Sequence, residues 1–194
     1  MKTVGILGGL GPETTSEFYI DIVFSCQRKC RTNRPPIIIT SVPLPYAIED
    51  DAISKNMGLE RIIPFLVIEA RRLENAGVDF IVMPCNSLHV FIKDIRQAVK
   101  IPVLSIVEET VKFLKKNKFK KVGIVSTSAT IENKLYETAF EENKIEYVTP
   151  DAFQQANNDI FIKYGGTGLG LNIVKRYIDY VGGQIVVKSE IGKG

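Results

Sequence analysis

The chain has 194 residues, of which 45% are hydrophobic and 24% are charged, and its formal net charge is +3. This composition is typical of a globular protein and excludes a disordered or fibrous chain, while the length allows one core or one domain with an appended segment. The basic residues are scattered apart from a run between Lys115 and Lys121, which has only Phe119 as an aromatic neighbour, so we expect no nucleic-acid partner.

The predicted elements alternate between short strands rich in Val and Ile and longer segments of helical periodicity. Strands are predicted over residues 3–7, 37–42, 80–83, 103–105, 122–125 and 146–148, and helices over residues 13–29, 59–75, 88–98, 108–117 and 131–142. Pro12 suits a first helical turn, and Gly77 suits the position after a helix end. The pattern predicts an α/β fold in which a parallel sheet is covered by helices on both faces.

Four strand-to-helix loops are candidate ligand sites, because parallel sheets bind ligands at the carboxyl ends of their strands. These loops cover residues 8–12, 43–46, 84–87 and 126–130, and each is small, polar or rich in glycine. A ligand could therefore approach their backbone closely.

Cys85 follows one of these strands and precedes a predicted helix, so its sulfur is expected at the mouth of the sheet. Amides at a helix N-terminus stabilise a thiolate, which predicts a lowered pKa and a role as base or nucleophile. A buried, inert thiol is the alternative. Asn86 and Ser87 add donors that could hold an anionic oxygen. His89, the only histidine, could point back to the loop, although capping the helix surface is the simpler expectation.

The composition changes after Gln155, where a polar break over residues 157–159 precedes a glycine-rich segment, a helix to about residue 180 and a strand over 184–189. We therefore predict a domain boundary between residues 156 and 157. Gly166, Gly168 and Gly170 are candidate nucleotide-binding residues. A loop that merely permits close backbone approach is the alternative, because a GxG-type run alone is a weak phosphate signal.

Three segments of the chain resemble aspartate/glutamate racemases over about residues 1–155: MKTVGILGGLGPETT, LENAGVDFIVMPCNSLHVFIKDIRQAVKIPVLSIVEET and KKVGIVSTSATIENKLY. The resemblance implies two lobes, chemistry without pyridoxal or any other cofactor, and one cysteine from each lobe, of which one removes the α-proton and the other protonates the opposite face. It makes Cys85 the first-lobe acid or base. Asn86 and Ser87 would bind the α-carboxylate of an acidic amino acid such as aspartate or glutamate, and Thr127 would be a further substrate contact.

The sequence departs from that family in three ways. The second cysteine is missing because the resemblance ends near Gln155, Ala47 stands about where some members place an arginine that grips the substrate, and the second lobe is expected to be truncated. An inversion would then lack its second proton carrier. A non-catalytic module that binds a small carboxylate is therefore an alternative, and the apolar surface of an incomplete lobe favours a homodimer.

The last segment, GGTGLGLNIVKRYIDYVGGQIVVKSEIGKG, resembles the final nucleotide-binding box, helix and strand of a sensor histidine kinase ATPase domain. The resemblance predicts a chimera in which residues 1–156 are racemase-like and residues 157–194 are a kinase-like fragment. A nucleotide-binding protein is thus a third hypothesis, although the other boxes of that ATPase family are not found upstream.

The hydrophobic pattern and the cysteine count predict the cellular compartment and the absence of a metal site. No stretch approaches the roughly 20 apolar residues of a membrane span, and the opening MKTVGILGG turns to glycine too early for a signal peptide. We expect a cytoplasmic protein with no membrane partner, whose cysteines remain thiols. Cys26 and Cys30 lie on one helix face, but two thiols are too few for a closed zinc site, so no metal is predicted.

Overall fold

The computed structural model describes residues 1–29, 32–54, 57–126 and 128–151. The chain divides into two compact units, the first formed by Met1–Val122 and Ala129–Val148 and the second by Gly123–Ser128 and Thr149–Gly194. The predicted boundary between residues 156 and 157 and the predicted helix and strand of the tail lie outside the described residues, so these remain predictions.

A three-stranded parallel sheet forms the centre of the first unit. In spatial order its strands are β2 (Ile37–Ser41), β1 (Val4–Gly8) and β3 (Phe80–Val82). All five residues of β1 are buried, which explains its uninterrupted apolar sequence, because a central parallel strand is covered on both faces. A parallel bridge joins Ile81 to Val103, so the strand predicted over residues 103–105 is present only as this bridge.

Helices connect and cover the strands. In chain order they are α1 (Pro12–Lys29), α2 (Tyr46–Ser54), α3 (Ile63–Asn75), α4 (Ile92–Ala98), α5 (Ile106–Lys116), α6 (Ser128–Glu132) and α7 (Glu137–Glu142), with 3-10 turns at Leu59–Ile62 and Ser87–Phe91. Two further strands, β4 (Lys121–Gly123) and β5 (Glu146–Val148), pair with each other. The predicted α/β fold with a parallel sheet is confirmed.

The helices predicted over residues 59–75 and 88–98 each begin with a 3-10 turn, and two other local predictions differ more strongly from the structure. The loop after β2 continues into α2, because the amides of Ile48 and Glu49 both donate to the carbonyl of Pro45 and proline is well tolerated at a helix start. The single helix predicted over residues 131–142 is divided into α6 and α7. Lys134 between them has a φ of 49°, a left-handed conformation that an α-helix of L-residues does not accommodate.

The core of the first unit packs α3 and α4 against the sheet. Its most deeply buried side chains include Leu7, Leu66, Leu73, Ile81 and Ile95. Leu66 and Leu73 lie seven residues apart on one face of α3, which is the spacing of an amphipathic helix.

The helix boundaries predicted from proline and glycine are present. Pro12 begins α1. Gly77 follows α3 with a φ of 81°, and its amide donates to the carbonyl of Glu74. A glycine fits there because the left-handed conformation carries no Cβ penalty for it.

None of the helices in the described part of the chain combines the length and the hydrophobicity that a membrane span requires.

Candidate active site

Cys85 lies between β3 and the 3-10 turn at Ser87–Phe91, at the carboxyl edge of the parallel sheet. Its side chain is partly buried and packs against the main hydrophobic core. The backbone amides of Leu88 and Ser87 hydrogen-bond the sulfur. Cys85 is therefore a partly exposed residue, and two amide donors stabilise a negative charge on its sulfur.

Burial raises the pKa of the Cys85 thiol above its ordinary value, because a thiolate loses its hydration there. The amides of Leu88 and Ser87 lower this pKa, while the carboxylate of Glu49 raises it further, and burial is the largest of these effects. The predicted lowering of the pKa is therefore wrong in sign. The amide donors that follow Cys85 could be predicted from the sequence. The burial of the thiol and the approach of the Glu49 carboxylate from α2 could not.

The Glu49 carboxylate was not among the predicted site residues. It lies on α2, which was not predicted as a helix, so its placement near the thiol had no local signal. Ala47, the position at which some racemases were expected to carry an arginine, is an exposed residue in the first turn of the same helix. This side chain provides no positive charge to bind a second carboxylate.

Asn86 is held by a residue that lies fifty positions further along the chain. The phenolic hydroxyl of Tyr136 donates to Oδ1 of Asn86 over 2.6 Å. Burial raises the pKa of Tyr136, whereas a hydrogen bond with the Thr110 side chain lowers it. Tyr136 was not among the predicted site residues, because no local pattern distinguishes it from the other tyrosines.

Ser87 is also contacted from the distant segment. Its Oγ lies 3.3 Å from Oγ1 of Thr130, which is buried in α6. The structure thus brings Cys85, Asn86 and Ser87 together with Thr130 and Tyr136. Thr127 lies outside the described residues, as do the candidate nucleotide-binding residues Gly166, Gly168 and Gly170.

His89 is buried beneath the cysteine loop. Its Nδ1 lies 2.7 Å from the carbonyl oxygen of Cys85, and its Nε2 accepts the amide of Ile106 over 3.1 Å. A carbonyl only accepts and an amide only donates, so these partners select the neutral tautomer protonated at Nδ1. Burial lowers the pKa of His89. The expectation that His89 caps the helix surface is wrong, because the ring points back to the loop.

The other two cysteines do not belong to the cysteine loop. Cys26 is a free, partly buried thiol on α1, and Cys30 is outside the described residues. Within the described ranges, no group of three or more His, Cys, Asp or Glu side chains is arranged to hold a metal ion.

The chain also has partial similarity to sensor histidine kinases. The hybrid signal transduction histidine kinase A of Dictyostelium discoideum is 42% identical over 74 residues, which form 38% of this chain and 3% of that protein. A match this partial does not establish an ATPase domain.

The similarity to racemases is much more extensive. The family model of the Asp/Glu/hydantoin racemases matches residues 7–175, which extends past residue 155, where the resemblance was expected to end. The broad specificity amino-acid racemase RacX of Bacillus subtilis is 35% identical over 161 residues, or 81% of this chain and 68% of that protein. A candidate Asp/Glu racemase of Yersinia pestis has a TM-score of 0.81 and 25% identity, covering 94% of this chain and 81% of that one. The chain therefore belongs to the Asp/Glu/hydantoin racemase family.

Proposed function

We propose that this chain is an amino-acid racemase that needs no pyridoxal, with Cys85 as a thiol acid and base at the α-carbon of an acidic amino acid such as aspartate or glutamate. The observation that carries the proposal is the position of Cys85. A partly exposed thiol lies at the carboxyl edge of the sheet, where the amides of Leu88 and Ser87 reach its sulfur.

The proton chemistry follows from the environment of the thiol. Because burial raises the pKa of Cys85, the sulfur is protonated at neutral pH and is ready to act as the acid. When it acts as the base, the thiolate takes the α-proton and the electron pair of the broken C–H bond remains on the α-carbon. Return of a proton from the same thiol to the same face gives exchange with solvent, whereas inversion requires a proton donor on the opposite face, the role that the family resemblance gives to a second cysteine. The amides of Leu88 and Ser87 stabilise that thiolate. Positioned acid–base groups of this kind contribute roughly 10²- to 10⁴-fold to a rate.

The substrate carboxylate would bind beside the thiol. Asn86 offers an amide NH2 and Ser87 a hydroxyl, which are the donors that a carboxylate needs. A further contact from Thr127 is part of the proposal. The type of amino-acid side chain that the substrate carries is less constrained than its α-carboxylate. Ala47 provides no cation to bind a second carboxylate, and the similar RacX is described as having broad specificity.

Proton exchange in heavy water tests this function. The chain is incubated with L-aspartate, L-glutamate, L-lysine and L-alanine, the loss of the α-proton signal is followed by NMR, and the D-isomer is measured by chiral chromatography. Exchange is expected with aspartate or glutamate. Cys85→Ala should abolish it, while Cys26→Ala, which removes a thiol on α1, should not. Equal exchange in wild type and Cys85→Ala would contradict the assignment, and so would no exchange with any substrate.

A second candidate is a carboxylate-binding module without turnover. The raised pKa of Cys85 favours it, because a neutral thiol beside the donors of Asn86 and Ser87 can accommodate an anion without repelling it. This candidate predicts that L-aspartate raises the melting temperature and slows alkylation of Cys85, although the α-proton does not exchange.

A further inference from the structure

The hydroxyl of Tyr136 hydrogen-bonds the Asn86 side chain from the second half of the chain, and the direction of this hydrogen bond determines how that side chain is oriented. The phenol lies 2.6 Å from Oδ1 of Asn86. An amide oxygen can only accept, so the phenolic hydrogen is directed to Asn86.

This arrangement leaves one orientation of the Asn86 amide. An amide side chain carries an acceptor oxygen on one arm and two N–H donors on the other. Because Tyr136 donates to the oxygen, the NH2 group must face away from the phenol. Without that contact the amide could rotate by half a turn and present its oxygen in place of its donors, which would repel a carboxylate.

We infer that Tyr136 is a positioning residue that fixes the amide of Asn86 so that its NH2 group is presented to a substrate carboxylate beside Cys85. The inference rests on the proposed function for the identity of the ligand. Tyr136 itself touches no reacting atom, and it acts only through Asn86.

The aromatic ring of Tyr136 has a separate, structural role that the test must leave intact. The ring lies against Phe140, with the two centroids 5.8 Å apart. Tyr136→Phe keeps this packing and removes only the hydroxyl. Tyr147 provides a matched control, because its ring also lies against Phe140 and its hydroxyl donates to Glu141 Oε1 over 2.7 Å at the surface.

The kinetic test compares these two variants. Tyr136→Phe should raise KM on the order of 10-fold, the effect of losing an oriented hydrogen bond to a charged group, while kcat changes much less. Tyr147→Phe should leave both constants as in wild type. A normal KM in Tyr136→Phe would overturn the inference, and so would an equal rise in KM in the two variants.

A double-mutant cycle tests whether Tyr136 acts through Asn86. Asn86→Ala alone should raise KM, and adding Tyr136→Phe to it should produce no further rise, because no amide remains to be oriented. Additive effects of the two substitutions would overturn the inference and would indicate that Tyr136 only supports the packing around the loop.

Failure of this inference can be distinguished from failure of the proposed function. If wild type exchanges no α-proton, the racemase proposal fails, and binding is measured instead as protection of Cys85 from iodoacetamide by L-aspartate. The inference then requires protection in wild type that is weakened on the order of 10-fold by Tyr136→Phe but is unchanged by Tyr147→Phe. Absence of protection in wild type, or equal protection in wild type and Tyr136→Phe, would overturn it.

Discussion

The imidazole of His89 joins the carbonyl oxygen of Cys85, 2.7 Å from its Nδ1, to the amide of Ile106, 3.1 Å from its Nε2. The loop that carries the thiol is thus attached to the start of α5 through a single neutral ring. A protonated ring would have no lone pair with which to accept the Ile106 amide. The anchor therefore depends on the protonation state of one residue.

Stability should decrease on mild acidification because of His89. Burial lowers the pKa of His89 in the folded chain below the ordinary value of 6.5. As the pH falls through 6.5 the unfolded chain binds the proton more readily than the folded one, so the free energy of unfolding decreases, and above that range the contribution is complete. Urea unfolding at pH 7.5 and 5.5 measures the difference. His89→Gln changes the only histidine and should reduce this difference. An equal loss in wild type and His89→Gln would show that other groups cause it.

Alkylation of Cys85 should be shifted to higher pH than that of an unburied thiol such as glutathione. Burial raises the pKa of Cys85, and the Glu49 carboxylate adds to that rise. We expect Glu49→Gln to move the midpoint of the iodoacetamide rate against pH to a lower value. Glu146→Gln, which removes a carboxylate from β5, should leave the midpoint where it is in wild type. A midpoint unchanged by Glu49→Gln would mean that burial alone sets the shift.

Arg96 should contribute more to stability than an ordinary surface ion pair. Its guanidinium donates to the carbonyl of Val103 through Nε and Nη2, and it pairs with both carboxylate oxygens of Glu108 at 2.6 and 2.9 Å. The ammonium of a lysine cannot reproduce that planar fork, so Arg96→Lys should lower the free energy of unfolding by about 1–2 kcal/mol.

The exposed pair between Lys112 and Glu109 is the control for Arg96. Lys112→Met should leave stability unchanged in urea unfolding, because exposed ion pairs gain little over hydrated charges. A similar loss in both variants would mean that the hydrogen bonds to Val103 contribute nothing beyond the ion pair.

Two glycines with nearly the same backbone angle should differ in their tolerance of a methyl group. Gly9 and Gly77 have φ angles of 82° and 81°. A Cβ at Gly9 would lie 2.9 Å from the amide nitrogen of Val42, whereas a Cβ at Gly77 would meet nothing within 4 Å. Gly77→Ala should therefore cost only the left-handed strain, about 1–2 kcal/mol. Gly9→Ala should cost clearly more by thermal or urea unfolding, and equal costs would contradict this argument.

Much of the fold was predictable because local periodicity reports burial. The apolar segments at β1, β2 and β3 lie in a parallel sheet, and the pattern of α3 matches its buried face. The helix α2 was not predicted, because Pro43 and Pro45 indicate a turn and only the hydrogen bonds to the Pro45 carbonyl show that a helix begins there. The division between α6 and α7 was not predicted either, because no sequence pattern indicates the left-handed backbone conformation of Lys134.

The sequence by itself determined the α/β class, the family and the residues of the cysteine loop. Strand-like and helix-like patterns of apolar residues alternate along the chain, and the family motifs are contiguous in sequence. The tertiary structure alone decided the direction of the Cys85 pKa shift, the inward orientation of His89 and the contact of Tyr136 with Asn86. Desolvation and hydrogen bonds between segments fifty residues apart depend on which surfaces meet in the folded chain, and a linear pattern carries no distances between such surfaces.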